Sequence, residues 1–186
     1  GEGGACLTDD DGLADTLRAL RNHGQDGRTG FKMAAANYRL TDFAAAMGQV
    51  QLGRLDGIVE ALRERALRYR MALPELRFQT CPDGAHANHQ TMGALMPHGH
   101  TRADRDTFVG WMRSEGVEAG ALSHAVHRLA PFSSALAQAE EAGRAFPATE
   151  EIVDLGFALP LFPALSRSDQ DQVIELAKRG LGEVGS

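Results

Sequence analysis

The sequence predicts an α/β chain in three parts: the end of a larger domain, a bridging helix, and a small α+β domain. Three observations carry this. A strand-and-helix pattern at the start has no complete domain around it. A long Gly-rich loop follows. After Pro74 the texture changes to short apolar runs set between helical patterns.

Residues Gly4 to Leu7 read as a short strand, with Thr8 and Asp9 as helix-capping residues. Leu13, Leu17 and Leu20 recur at helical spacing, so a helix with one apolar stripe is expected over 10–21. It stops at RNHGQDGRTG, where glycines and short polar side chains mark a loop that runs on to Leu40. Ordered loops of that length inside compact domains are more often functional than idle. Thr41 and Asp42 open the next helix. Its stripe continues through Leu62, Ala66 and Tyr69, too far for one ordinary globular helix, so a bend is expected between Gly53 and Gly57. Glu60, Arg63, Glu64, Arg65, Arg68 and Arg70 read as a mostly solvated outer face.

The boundaries are therefore 1–53 for the end of the larger domain, 54–74 for the bridging helix and 75–186 for the small domain. In the last part RFQT (77–80), TMGALM (91–96), VEAGAL (117–122) and FALPLF (157–162) are strand candidates. Helices are expected over 103–115, 132–143, 148–155 and 167–179, the last capped by Ser166 and stopped by Gly180. About 70 residues cannot enclose a strand on both faces, so the first part is expected to complete a domain whose beginning lies upstream.

Composition narrows the function. The chain has 186 residues, 43% of them hydrophobic, and a net charge of −6. No apolar run is long enough to cross a bilayer, and no basic block is present, which argues against a membrane or nucleic acid as partner. Cys6 and Cys81 stand alone, consistent with a reduced, cytoplasmic setting. Arginine supplies 17 of the basic residues; Lys32 and Lys178 are the two lysines.

Seven histidines raise the question of metal. His86 with His89 and His124 with His127 have half-site spacing, but no completing ligands are evident, so no metal site is expected. Ser123 beside His124 is adjacency alone, and Walker A and G-x-G-x-x-G patterns are absent. The segment Asn37-Tyr38-Arg39 is more informative. It places amide and guanidinium donors directly before a helix cap, where they suit a cluster of anionic oxygens. Spacing alone favours a plainer reading, in which Asn37 satisfies a loop carbonyl, Tyr38 packs and Arg39 is solvated.

Three blocks taken together, GEGGACLTDDDGLADTLRALRNHG, NYRLTDFAAAMGQVQLGRLD and RERALRY, resemble the DegT/DnrJ family of pyridoxal-phosphate-dependent sugar aminotransferases. SHAVHRLAPF and LGFALPLFPALSRSDQDQVIELAKRGL are similar to later segments of that family. The resemblance implies a fold-type I enzyme, with the first part of this chain ending the large cofactor-binding domain. It implies transamination of a keto sugar on a nucleotide carrier, with glutamate or glutamine as amino donor, for polysaccharide or antibiotic biosynthesis. A keto-cyclitol substrate and a non-catalytic binding or assembly module are the alternatives.

The cofactor would be pyridoxal 5'-phosphate, held in a homodimer with shared active sites. In the family GEGG follows the Schiff-base lysine, so that lysine is expected upstream of Gly1, and neither Lys32 nor Lys178 matches it. The aromatic residue that stacks on the ring and the Asp at its pyridine nitrogen would also lie upstream. Glu2 and Gly3 would line the pocket. The resemblance assigns Asn37 to the cofactor phosphate of the neighbouring subunit, with Arg39 as a second contact. It assigns His127 to the substrate sugar, with His124 where the family often has Tyr.

Overall fold

The computed structural model describes residues 3–25, 27, 30–132, 134 and 145–184. They form two compact units, Gly1–Asp56 and Gly57–Ser186.

In the first unit, helix α1 (Asp11–Arg21) begins at Asp10, whose carboxylate accepts a hydrogen bond from Leu13 N at 2.9 Å. Asp10, rather than Thr8 or Asp9, is thus the cap. Thr8 Oγ1 instead accepts from Asp10 N. Gly4 to Leu7 do not form a strand; all four are exposed and have no ladder partner among the described residues. A strand needs a neighbour to take its backbone hydrogen bonds.

The long loop is a hairpin-like excursion. Its limbs meet at two antiparallel bridges, Asn22 with Asn37 and Gln25 with Phe31. Gly24 allows the turn. Its φ is +80°, and a Cβ there would lie 1.9 Å from the Met33 carbonyl oxygen. Helix α2 (Asp42–Leu52) is capped by Thr41, whose hydroxyl accepts from Ala44 N. Helix α3 (Leu55–Ala72) follows after a short break, at the position the glycines predict.

The second unit holds a four-stranded antiparallel sheet with helices packed against it. Strands β1 (Arg77–Phe78), β2 (Met92–Leu95), β3 (Gly120–Ala121) and β4 (Gly156–Leu159) lie in the order β1-β2-β4-β3. The central pair is registered Met92 opposite Leu159 and Leu95 opposite Gly156. Burial alternates along β2, sending Met92 and Ala94 into the core. They meet Ala66 and Tyr69 of α3, Phe108 and Met112 of α4 (Arg102–Ser114), and Val173 and Ala177 of α6 (Arg167–Val184). Thr101 and Asp104 form a reciprocal capping box at the start of α4. Helix α5 (Pro147–Leu155) leads directly into β4. The helix expected over 132–143 falls almost wholly outside the described residues.

Two expectations change here. Gly180 does not stop α6, which continues to Val184. A Cβ on Gly180 would stand 2.3 Å from Trp111 Cδ1, so the glycine admits the Trp111 ring. The arginines of α3 are not a solvated face. Arg65 Nε donates to Leu165 O at 2.9 Å, and Arg68 Nη1 donates to Arg167 O at 3.0 Å. Buried Gln170 donates from Nε2 to Arg65 O, and Tyr69 donates from its hydroxyl to Pro160 O. Guanidinium groups there bond carbonyls of the segment leading into α6 and of its first residue.

Candidate functional site

Two clusters of chemically capable side chains stand out, one in each unit. The first is built by the hairpin loop. Tyr38 N donates to Arg21 O at 3.0 Å and His23 N donates to Ala36 O at 3.1 Å, so the two limbs are laced at their base. This brings His23, sixteen positions away in sequence, against Arg39. Asn37 Oδ1 accepts from Arg39 N at 3.2 Å and from Arg39 Nε at 3.1 Å. Arg39 Nη2 lies 3.3 Å from His23 Nε2.

The arrangement has a direction. With its oxygen committed to Arg39, the Asn37 amide has both Nδ2 protons free of partners among the described residues. The remaining Arg39 donors, on Nη1 and Nη2, are likewise exposed. This donor set fits a phosphate group, which takes several N–H bonds at once and gains most from charged donors. Asn37 and Arg39 are therefore brought together. Tyr38 is 70% exposed, contrary to the plainer reading in which it packs. His23 is a partner that spacing did not reveal; its φ of 59° marks it as a turn residue.

The second cluster surrounds His127, on a short 3-10 turn, Val126–Arg128. Its Nε2 lies 2.5 Å from Glu150 Oε1, in the first turn of α5. The ring stacks on Phe146 with centroids 4.7 Å apart. Arg128 pairs with the other oxygen of Glu150 and reaches Asp154 at 3.2 Å. The His127 side chain is only 14% exposed. When Nε2–H donates to Glu150, a neutral imidazole leaves Nδ1 as an acceptor suited to a hydroxyl. His124 is exposed and makes no side-chain hydrogen bond among the described residues, so the structure does not join it to His127. Glu150 and Phe146 were absent from the sequence reading because they lie some twenty positions from His127 on another element.

The other candidates fare simply. Lys178 lies on α6 beside Glu175 at 3.5 Å, and the Lys32 backbone N–H donates to Gly24 O. Gly3 is exposed, and Glu2 lies outside the described residues. Among the described residues no three His, Cys, Asp or Glu side chains gather as a metal site, and no helix is long and apolar enough to cross a membrane.

Comparison with known proteins agrees across sequence and structure. The model of the DegT/DnrJ/EryC1/StrS aminotransferase family matches residues 1–178. GDP-perosamine synthase of Vibrio cholerae is 29% identical over 95% of this chain and 47% of its own length. The spore coat polysaccharide biosynthesis protein SpsC of Bacillus subtilis is 29% identical over 96% of this chain and 49% of its own. The aminotransferase TlmJ from Streptoalloteichus hindustanus superposes with a TM-score of 0.78 at 25% identity, over 96% of this chain and 47% of that one. Spr1654 of Streptococcus pneumoniae, in its PMP form, shares the fold at a TM-score of 0.81 and 17% identity, over 95% of this chain and 47% of its own. The chain spans about half the length of the curated relatives it matches.

Proposed function

This chain belongs to the DegT/DnrJ/EryC1/StrS aminotransferase family, and we propose that it forms the C-terminal part of an enzyme that aminates a keto sugar carried on a nucleotide. The family match over residues 1–178 carries the reading. The named activities of two relatives, GDP-perosamine synthase and dTDP-3-amino-3,6-dideoxy-α-D-galactopyranose transaminase, give the substrate class. Glutamate or glutamine is the proposed donor.

In this reading pyridoxal 5'-phosphate, when bound, supplies the electron sink that makes amino transfer accessible. In the same reading neither Lys32 nor Lys178 is the cofactor-linking lysine. Asn37 Nδ2 donates to the phosphate, and Arg39, steadied by Asn37 Oδ1 and His23, adds charge. His127, held through Nε2 by Glu150 and stacked on Phe146, offers Nδ1 to a sugar hydroxyl. Its role is to orient the substrate. We assign His124 only to the rim.

The site is proposed to be shared between two subunits of a homodimer. Support comes from the apolar residues that α2 leaves bare: Phe43 is 78% exposed, Val50 65% and Leu52 69%. Exposed apolar surface on that scale is normally covered by another polypeptide surface. The test uses the full-length protein. Its absorbance spectrum is recorded with pyridoxal 5'-phosphate, then with glutamate and GDP- or dTDP-linked keto sugars, and amino-sugar product is identified by mass. A cofactor spectrum with sugar-dependent turnover is expected. No cofactor spectrum in folded full-length protein sinks the proposal.

A further inference from the structure

Outside both clusters the second unit carries an open groove of about 730 Å³, between the side of α3 and the connection from β1 to β2. Arg63 and Arg70 form its helical wall, and His86, Asn88 and His89 lie across from them. Among the described residues no Asp or Glu lines it, and Asp83, the one acidic residue of the connection, is not part of the lining. In a chain of net charge −6 such a surface runs against the overall field.

The two arginines are anchored but not neutralised. Arg63 Nε donates to Ala87 O at 3.0 Å and Arg70 Nη2 donates to Gln79 O at 2.8 Å. Neither forms an ion pair among the described residues, whereas Arg68 on the same helix does. Each guanidinium is thus oriented by one bond to the backbone and keeps further N–H donors for a ligand. Arg70 also lies over the Phe78 ring, 5.7 Å from its centroid, which limits its wandering. The positive field reaches His89: burial first, then Arg70 and Arg63, hold its imidazole below the usual histidine range. His89 also sits at φ 50°, a strained backbone for a non-glycine residue. Arg63 and Arg70 are seven residues apart, two helical turns on one face, which favours a ligand with more than one anionic group over a single phosphate.

We propose that this groove binds a diphosphate group, free or carried on a nucleoside, through Arg63 and Arg70. The site lies wholly within Gly57–Ser186 and its test needs neither cofactor nor turnover, so it stands or falls apart from the aminotransferase reading.

The experiment is calorimetric titration of the full-length protein, without pyridoxal phosphate, using inorganic pyrophosphate in one arm and guanosine or thymidine diphosphate in the other. Alkylation of Cys81 by iodoacetamide is followed in parallel. Cys81 lines the groove, and Cys6, also exposed but in the other unit, is the internal control. The expected result is saturable binding that slows labelling of Cys81 and not of Cys6. In the variant R63Q/R70Q affinity should fall at least about tenfold, the loss expected when charge-assisted hydrogen bonds to phosphate are removed. R63K/R70K keeps the charge and tests the fork geometry should the first variant unfold; it too should weaken binding. Tighter binding of the nucleotides identifies the nucleoside-borne diphosphate, and equal binding identifies diphosphate alone. Absence of binding, heat without protection of Cys81, or unchanged affinity in both variants overturns the proposal.

Discussion

Gly180→Ala sets two physical effects against each other. In a helix interior alanine is favoured over glycine by about 1 kcal/mol, so propensity alone forecasts a gain. The packing forecasts the opposite. The new methyl would fall 2.3 Å from Trp111 Cδ1, 2.7 Å from Trp111 Nε1 and 3.2 Å from Phe108 Cδ2. The Trp111 ring cannot give way freely. Its Nε1 donates to Leu176 O at 3.3 Å, Arg179 lies over its face, and the Phe108 beside it is fully buried. Overpacking of this kind costs about 1–3 kcal/mol, and losing the indole hydrogen bond adds roughly 0.5–1.5 kcal/mol. The expected net effect is a loss of about 0.5–3.5 kcal/mol, or a melting temperature lower by several degrees at about 2–4 °C per kcal/mol for a chain of this size. Gly110→Ala is the control. Gly110 lies in α4, is exposed, and a Cβ there meets nothing within 4 Å, so up to about 1 kcal/mol of stabilisation is expected. Urea unfolding at constant slope reads both. If Gly180→Ala stabilises as Gly110→Ala does, the packing of Trp111 against α6 is refuted.

Asn37→Ala should weaken retention of pyridoxal 5'-phosphate by the full-length protein roughly 10–100-fold, the range for hydrogen bonds to a charged group; dialysis against graded cofactor would show it, and unchanged retention removes Asn37 from the phosphate site. Glu150→Ala leaves His127 without its Nε2 partner, so KM for the keto sugar should rise by about tenfold with a smaller change in kcat. An effect on kcat alone contradicts the orienting role. Burial raises the Tyr69 phenol above the ordinary tyrosine range, outweighing the opposing Arg68 charge, so the folded state holds that proton more tightly than the unfolded chain. Stability from this group is complete below about pH 10 and is lost as pH rises beyond it. Tyr69→Phe should cost about 0.5–1.5 kcal/mol at neutral pH through the lost bond to Pro160 O, and should flatten the alkaline limb of the stability curve.

Much of the local structure was legible because it depends on neighbours in the chain. Thr41 and Ser166 cap helices through side chains that bond backbone N–H groups three residues on, and such signals are written in adjacent positions. The break before α3 follows from glycine spacing in the same way. Asn37 with Arg39 was also readable, since two residues apart are enough for Asn37 Oδ1 to hold Arg39 Nε.

What stayed hidden depends on distant chain. Gly180 looks like a helix stop until Trp111 is placed against it, 69 positions back. The α3 arginines look solvated until the carbonyls of Leu165 and Arg167, about a hundred residues on, come to meet them. His23 joins Arg39 only once the loop folds on itself, and His127 meets Glu150 only once α5 packs beside the 3-10 turn. Helix periods, the Thr41 and Ser166 caps and family membership are properties of residue order, and the amino-acid sequence was sufficient for them. Which polar groups end in contact depends on how the backbone closes long loops, and that is decided by the packing of the whole domain.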